Sequence, residues 1–517
     1  MMSMRKHIAF ASMCMGLFIA QLDIQIVSSS LNEIGGGLSA GKDEMAWLQT
    51  SYLIAEIIVI PLSGWLSRVF STRWLFTLSA GIFTLMSIAC GLAWNIQIMI
   101  LFRALQGAAG ASMIPLVFTT AFIYYQGKEL GLAAAVVSAL ASLSPTLGPT
   151  LGGWITDNLD WRWLFYINIL PGIYLVLSIP FLVNFDKPDL SLLKVADYPS
   201  IILLAMTLGC LEYTLEEGAR WGCLEYTLEE GARWGWLDDN TILLTSVLAL
   251  VSFILFAART LTISNPIMDL HAFKDKNFTL GCFFSFSGGV GIFSTVYLIP
   301  VFLGQVRGLN AEEIGFAVCT TGIFQLFSVP FYFWLSKKIN LRWLLMAGLG
   351  GFVFSMYLFT PITHEWGWQE LLFPQAIRGI SQQFAMAPIV TLTLGGIPKE
   401  RLKLASGVFN LTRNLGGAIG IALCGSILNN RTNFHFSRMG EKMVSVPHTV
   451  NDFISRSALF FDRSGSDQTS EILASTKLLS QLMLREAQTM AFSDTFLLIS
   501  GLLFIAFLLV PAMNKSS

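Results

Sequence analysis

The sequence predicts an all-α polytopic membrane protein. Three observations carry that reading. Of 517 residues, 54% are apolar and only 13% charged, with 40 phenylalanines. Mean hydropathy is +0.64. Fourteen apolar stretches each approach the ~20 residues a helix needs to cross a bilayer core. A soluble domain carries about 25% charged residues, so the composition excludes a nucleic-acid binder, a disordered scaffold and an ordinary cytosolic enzyme. A formal net charge of −1 gives no global field to steer an acidic or basic partner.

In chain order the stretches run 8–30, 46–67, 75–94, 97–122, 131–154, 163–184, 198–217, 241–262, 278–303, 314–335, 342–361, 369–393, 403–428 and 490–513. Several contain Gly and Pro, which membrane helices tolerate because neighbouring helices satisfy the freed backbone groups. Barrel strands would be ~10 residues long and alternate in polarity, which these do not. The first stretch follows a basic start with Arg5 and Lys6. Its apolar run is too long for a signal peptide and no small-residue cleavage site follows, so it counts as a membrane helix.

Lys and Arg set the orientation. With the N-terminus in the cytoplasm, the inside segments hold 17 of them and the short outside loops 5. Both termini are therefore expected in the cytoplasm. The polar segment 429–489 becomes an extracytoplasmic loop. Its later part, from Ser470 to Met490, spaces Ile472, Leu473, Leu479, Leu482, Met483 and Ala487 as a helix would, and should extend the last helix outward. Cys210–Gly222 recurs verbatim as Cys223–Gly235. Thirteen residues turn an α-helix by ~220° beyond whole turns, so the copies cannot share one helix face. One copy is expected in or near the seventh span and the other in the outside loop.

Seven scattered cysteines show no CxxC or metal spacing, so no disulfide framework, metal site or cofactor is expected. The five histidines, His7, His271, His364, His435 and His448, fall in tails and loops, where a solvated surface is the default. No HExxH, Ser-His-Asp grouping or GxxxxGK[ST] loop is evident.

Ionisable groups in lipid cost several kcal/mol and mark function by default. Five were identified inside spans: Asp23, Glu56, Arg103, Arg378 and Arg413. At ~1.5 Å per residue, Asp23 and Arg103 lie ~10 and ~9 Å deep from the same side, and could pair if the first and fourth spans touch. Glu56 lies ~15 Å deep, near the midplane. Arg378 and Arg413 reach similar depths, Arg413 within Asn410-Leu-Thr-Arg-Asn-Leu-Gly-Gly. Gly107, Gly110, Gly148, Gly152, Gly153, Gly416, Gly417 and Gly420 allow close helix approach.

Three stretches resemble the major facilitator superfamily, in its fourteen-helix drug:proton antiporter branch of EmrB type. Leu101-Phe-Arg103-Ala-Leu-Gln106-Gly107 resembles the family's Arg-x-x-Gln-Gly. Gly148-Pro149-Thr-Leu-Gly152-Gly153 resembles the antiporter signature Gly-Pro-x-x-Gly-Gly, followed by family-like Trp161–Phe165 and Asn168–Gly172. Leu22-Asp23-Ile-Gln-Ile-Val27 resembles a Leu-Asp-x-x-Ile-Val motif of the branch. One loop departs from the pattern. The family's Gly-x-Leu-Ala-Asp-Arg-x-Gly-Arg here has Arg68 at the acidic position and Ser71 at the second glycine.

The resemblance implies a major facilitator fold of two six-helix bundles with two inserted helices. It divides the chain into 1–185, a linker region 186–275 with the inserted pair, and 276–517. It also implies a proton-coupled antiporter of the inner membrane that exports small hydrophobic compounds by alternating access, with the helix-5 glycines and Pro149 packing at the bundle interface. Asp23 and Glu56 would carry protons, with Arg103 as partner. Three span arginines against two acids point to neutral or weakly acidic amphipathic cargo. A periplasmic adaptor and outer-membrane channel are implied as partners in a double-membraned bacterium. Uptake by a proton-coupled symporter on the same fold is the alternative, which the Gly-Pro-x-x-Gly-Gly stretch opposes.

Overall fold

The computed structural model describes residues 2–28, 30–224, 240–263, 266–445, 447–461 and 468–513. Among them there is no strand. The helices are α1 (Met2–Ser28), α2 (Leu31–Leu38), α3 (Lys42–Gly91), α4 (Ile96–Tyr124), α5 (Lys128–Asn158), α6 (Trp163–Tyr166), α7 (Ile169–Leu182), α8 (Tyr198–Leu224), α9 (Asn240–Thr262), α10 (Lys276–Gln305), α11 (Ala311–Ser336), α12 (Leu341–Leu358), α13 (Trp368–Leu394), α14 (Leu402–Val444), α15 (Pro447–Phe461) and α16 (Gln468–Leu509). Helix is what lipid demands, because every backbone N–H and C=O must be satisfied within its own segment. Starts are marked by side-chain caps. Asn95 accepts from the Ile98 amide at 2.9 Å. Asn310 and Glu313 cap each other's amides reciprocally at 2.9 and 3.1 Å.

Each of the fourteen apolar stretches falls on helix, but twelve helices among the described residues are long and apolar enough to cross a membrane. The figures of fourteen and twelve differ at two places. Stretches 46–67 and 75–94 share the 50-residue α3, which bends at Ser71. Stretch 369–393 lies on α13, where Glu370, Arg378 and four glutamines dilute the apolar character. The segment 429–489 is less a loop than a helical projection. α14 continues to Val444, α15 packs beside it, and α16 runs unbroken from Gln468 into the last apolar stretch, as the spacing there predicts. The first repeat copy lies on α8; the second, from Glu225 onward, falls outside the described residues.

The N-terminal and C-terminal elements meet through α3 and α4 against α14, and through α5 against α11 and α13. Thr119 and Ser406 hydroxyls join at 2.6 Å across one seam. The Gln383 amide donates to the Ala135 carbonyl at 3.1 Å across another. Gly315 lies so close to Thr150 that a Cβ would stand 2.6 Å from its Cα. The inserted pair α8 and α9 is fastened by Arg259 on Asp197, at 2.8–3.0 Å, and by Thr214 on Thr245 at 2.9 Å. The Arg259 hydrogen bond holds the Asp197 carboxyl below its ordinary value. α8 packs on both α3 and α14, while α9 turns Leu244, Val247, Leu250, Phe253 and Ile254 outward, the face expected toward lipid.

Three expectations are revised. Gly148 approaches α1, where a Cβ would stand 2.3 Å from the Gln25 Cβ, so this glycine serves packing within the N-terminal elements; the cross-seam approach on α5 is at Thr150 instead. His435 is 8% exposed and bonds Asp494 at 2.7 Å, because the α14 projection packs on α16. His7 sits in α1, its ring nitrogen 2.8 Å from the Tyr125 hydroxyl.

Ser71 takes φ 68°, ψ 155°, a region that favours glycine, and its side chain is fully buried. Ser71→Gly should raise stability by about 1 kcal/mol, read as a higher Tm in lipid nanodiscs; an unchanged or lower Tm would show that the bend is unstrained. At Gly107 a Cβ would stand 2.4 Å from the Tyr52 carbonyl oxygen, a backbone atom that cannot step aside. Gly107→Ala should destabilise by about 1–3 kcal/mol by prising α4 from α3.

Candidate functional site

The Arg-x-x-Gln-Gly motif lies on α4, where i and i+3 share a face, so Arg103 and Gln106 point the same way. Gly107, next along, lets the α3 backbone at Tyr52 come close. That approach brings α1, α3, α4 and the turn before α7 around one point. Arg103 Nη1 donates to Asp23 Oδ2 and, at 2.8 Å, to Gln106 Oε1; its Nε donates to the Leu48 carbonyl at 3.3 Å. Both side chains of the ion pair are fully buried. Gln106 Nε2 donates to Asp23 Oδ1 at 3.1 Å and to Ser87 Oγ at 2.8 Å. Asn168 Nδ2 donates to the same Asp23 Oδ1 at 2.7 Å. The guanidinium lies over the Tyr52 ring at 4.3 Å, and the Tyr52 hydroxyl donates to the Ala20 carbonyl at 3.2 Å.

This network explains three of the motif stretches at once. Asp23, Arg103, Gln106 and Asn168 come from separate parts of the sequence and share one hydrogen-bond network, in which Arg103 Nη2 is buried without a partner. A buried charge pair depends on such partners, and removing one member of the pair costs about 3–5 kcal/mol. Sequence reasoning paired Asp23 with Arg103 from depth alone, and the structure brings them together. It missed Asn168, which stood in a quoted motif, and Ser87 and Tyr52, which carried no signal beyond an apolar span.

Glu56 occupies the second constellation. It is 2% exposed on α3, and its Oε1 accepts from Asn414 Nδ2 on α14 at 3.2 Å. This hydrogen bond therefore links N-terminal and C-terminal elements. Arg413, beside Asn414, acts on Glu56 electrostatically; its guanidinium lies 5.7 Å from the Phe118 ring centroid, and its Nε and Nη2 are buried without hydrogen-bond partners. Glu56 lines a cavity of about 50 Å³ at the junction of α1, α3, α8, α10 and α14. Glu212 and Glu216 of α8 line it too. Both lie inside the stretch 198–217, so the inventory of two span acids was incomplete. Glu212 is 3% exposed and Glu217 4%.

The remaining candidates sit apart. Arg378 of α13 is 1% exposed and donates to Thr321 Oγ1 at 2.7 Å, leaving Nε and Nη1 buried without partners. Asn410 is fully buried and donates to the Ser406 carbonyl at 2.9 Å. Pro149, Gly152 and Gly153 are buried in α5; the Gly152 and Gly153 carbonyls accept from Thr156 Oγ1 at 2.9 and 3.1 Å.

At the bend of α3, where the family pattern has its acid and this chain has Arg68, a different carboxylate does the fastening. Asp186, from the segment after α7, accepts from the Thr72 amide and hydroxyl at 2.7 Å each and from Lys403 of α14 at 2.5 Å. Lys403 also donates to the Ser67 carbonyl at 3.1 Å, and a Cβ on Gly64 would meet the Lys403 carbonyl oxygen at 2.6 Å. The charge that could close this corner is thus supplied from outside the loop motif.

The Major Facilitator Superfamily profile matches residues 13–421. The chain is 35% identical over 506 residues to the "Colistin resistance protein EmrB" of Acinetobacter baumannii, covering 98% of this chain and 96% of that one. It is 28% identical over 451 residues to the "Multidrug export protein EmrB" of Haemophilus influenzae, covering 86% of each. Among solved structures it superposes on the proton:xylose symporter XylE with a TM-score of 0.61 at 12% identity, covering 100% of this chain and 97% of that one, which shows a shared fold. A profile spanning most of the chain, a polar cluster built from three motif stretches and an all-helical membrane architecture agree: the protein belongs to the major facilitator superfamily, a family of transporters and not of enzymes.

Proposed function

We propose that this protein is a proton-coupled antiporter that exports hydrophobic compounds, neutral or weakly acidic amphipaths among them, across the inner membrane. The names of its relatives, multidrug export and colistin resistance, support export of toxic small molecules. The observation that carries the coupling is Glu56. It is a buried carboxylate at mid-span whose hydrogen bond to Asn414 joins the two sides of the seam. Protonation removes its charge and one acceptor lone pair, which weakens that link and its attraction to Arg413. A proton is thereby traded for a change in how α3 sits on α14.

The halves 1–185 and 276–517 then rock about the seam, with 186–275 carried between them. Asp23 is the second carboxylate of this scheme. Its three donor contacts, from Arg103, Gln106 and Asn168, hold α1 against α4 and the turn before α7. In this scheme both termini face the cytoplasm, and the helical projection of α14, α15 and α16 faces the periplasm. There it offers the surface for a periplasmic adaptor leading to an outer-membrane channel.

Glu56→Gln should lower gradient-driven efflux by at least about tenfold in inverted vesicles while leaving folded yield unchanged, because glutamine keeps the contact to Asn414. Full proton-coupled efflux in that variant would remove Glu56 from the mechanism, and net uptake by wild type would reverse the direction. Asp23→Asn should instead reduce stability by about 3–5 kcal/mol, seen as a large loss of Tm. Asp186→Asn should open the corner held by Lys403. Interspin distances between labels on α3 and α14 should shift about tenfold in population toward the open state, the effect of losing a charged hydrogen bond worth about 1.5–3 kcal/mol.

A further inference from the structure

The cavity beside Glu56 contains more carboxylate than proton coupling uses. Glu56, Glu212 and Glu216 all line it, from two helices that are far apart in sequence. Glu212 Oε2 is buried with no hydrogen-bond partner. A second kind of group points to a ligand independently. Gln21 of α1 lines the same cavity at 1% exposure, and both its Oε1 and its Nε2 are buried without partners. A buried amide with nothing to bond is expensive, about 1–3 kcal/mol for each unmet group. It faces a space of about 50 Å³, room for a few waters or one small head group. The rest of the wall includes Ile24, Leu53, Ile57 and Phe293, an apolar surface suited to an alkyl or aryl stem.

We infer that this cavity is a recognition site for a single protonated primary amine carried on a short hydrophobic stem. The ammonium has three N–H donors and no acceptor. Glu212 Oε2 and Gln21 Oε1 are acceptors without donors, and Glu56 and Glu216 supply the surrounding negative charge. A quaternary ammonium of the same charge lacks N–H donors and would leave those acceptors unmet. A neutral alcohol offers one donor and no charge. α8 therefore does more than fill the space between halves: it brings Glu212 to the seam through the first copy of the repeat. As a statement about cargo the inference rests on the export reading, and it extends that reading from neutral and weakly acidic compounds to monoamines. As a statement about binding it needs no transport.

The test is calorimetric titration of the full-length protein in lipid nanodiscs with hexylammonium, hexyltrimethylammonium and 1-hexanol, without a proton gradient. Wild type should bind hexylammonium at least about tenfold more tightly than either comparator. Glu212→Gln should weaken hexylammonium about tenfold and leave 1-hexanol unchanged, and Gln21→Met should do the same through the other helix. Equal affinity for the primary and quaternary amines would overturn the N–H recognition. Hexylammonium binding untouched by both substitutions would overturn the site while leaving export intact. If the Glu212 variant fails to fold, the near-isosteric Gln21 variant decides alone. An efflux assay that fails while hexylammonium binding behaves as stated would count against the export reading and not against this site.

Discussion

A guanidinium in lipid has no water to turn to, and the fold around Arg103 is arranged to meet that constraint. Its Nη1 and Nε are matched to Asp23, to Gln106 and to a backbone carbonyl, and its face to an aromatic ring. Satisfying it draws α1, α3, α4 and the α6–α7 turn together. The same approach demands glycine at position 107, because the Tyr52 backbone occupies the place where a side chain would begin. Helix packing and charge compensation in the N-terminal elements are thus one problem with one solution.

The second cluster is built on the opposite principle. Around Glu56 the acceptors outnumber the donors in contact with them. The link across the seam is a neutral amide, and Glu212 and Gln21 hold polar atoms with no partner. A network tied by an ion pair and several amides resists change, whereas one with more unmet groups responds to whatever supplies the missing partners. Protons and small cationic head groups both qualify. This cluster lies where α3, α8 and α14 meet, so elements from both sides of the seam contribute to it.

The closing contact at the other part of α3 shows how a family pattern can be kept in effect and altered in detail. Arg68 occupies the position where the loop motif carries an acid. Asp186 takes over from a different segment, reaching Thr72 and Lys403 together. Ser71, standing where the motif has glycine, holds a left-handed backbone and makes the bend of α3 that brings this corner round.

Much of this was legible before any coordinates. Apolar runs of about twenty residues dictate helices because lipid leaves the backbone no other partner. Span depth placed Asp23 level with Arg103, and the motif residues marked the family. The finer matters depend on contacts between segments distant in the chain. That Asn168 completes Asp23, and that Asp186 substitutes for a missing loop acid, follow only from helices packing at particular rotations. Glu212 shows the limit most plainly. Its residue type and its place in the stretch 198–217 are written in the sequence, but its burial follows from the packing of α8 on α3 and α14. Local sequence thus determined which segments enter the membrane and which charges are costly there. Only the packing decided which charges are neutralised, because burial and partnership are properties of pairs of helices rather than of any one of them.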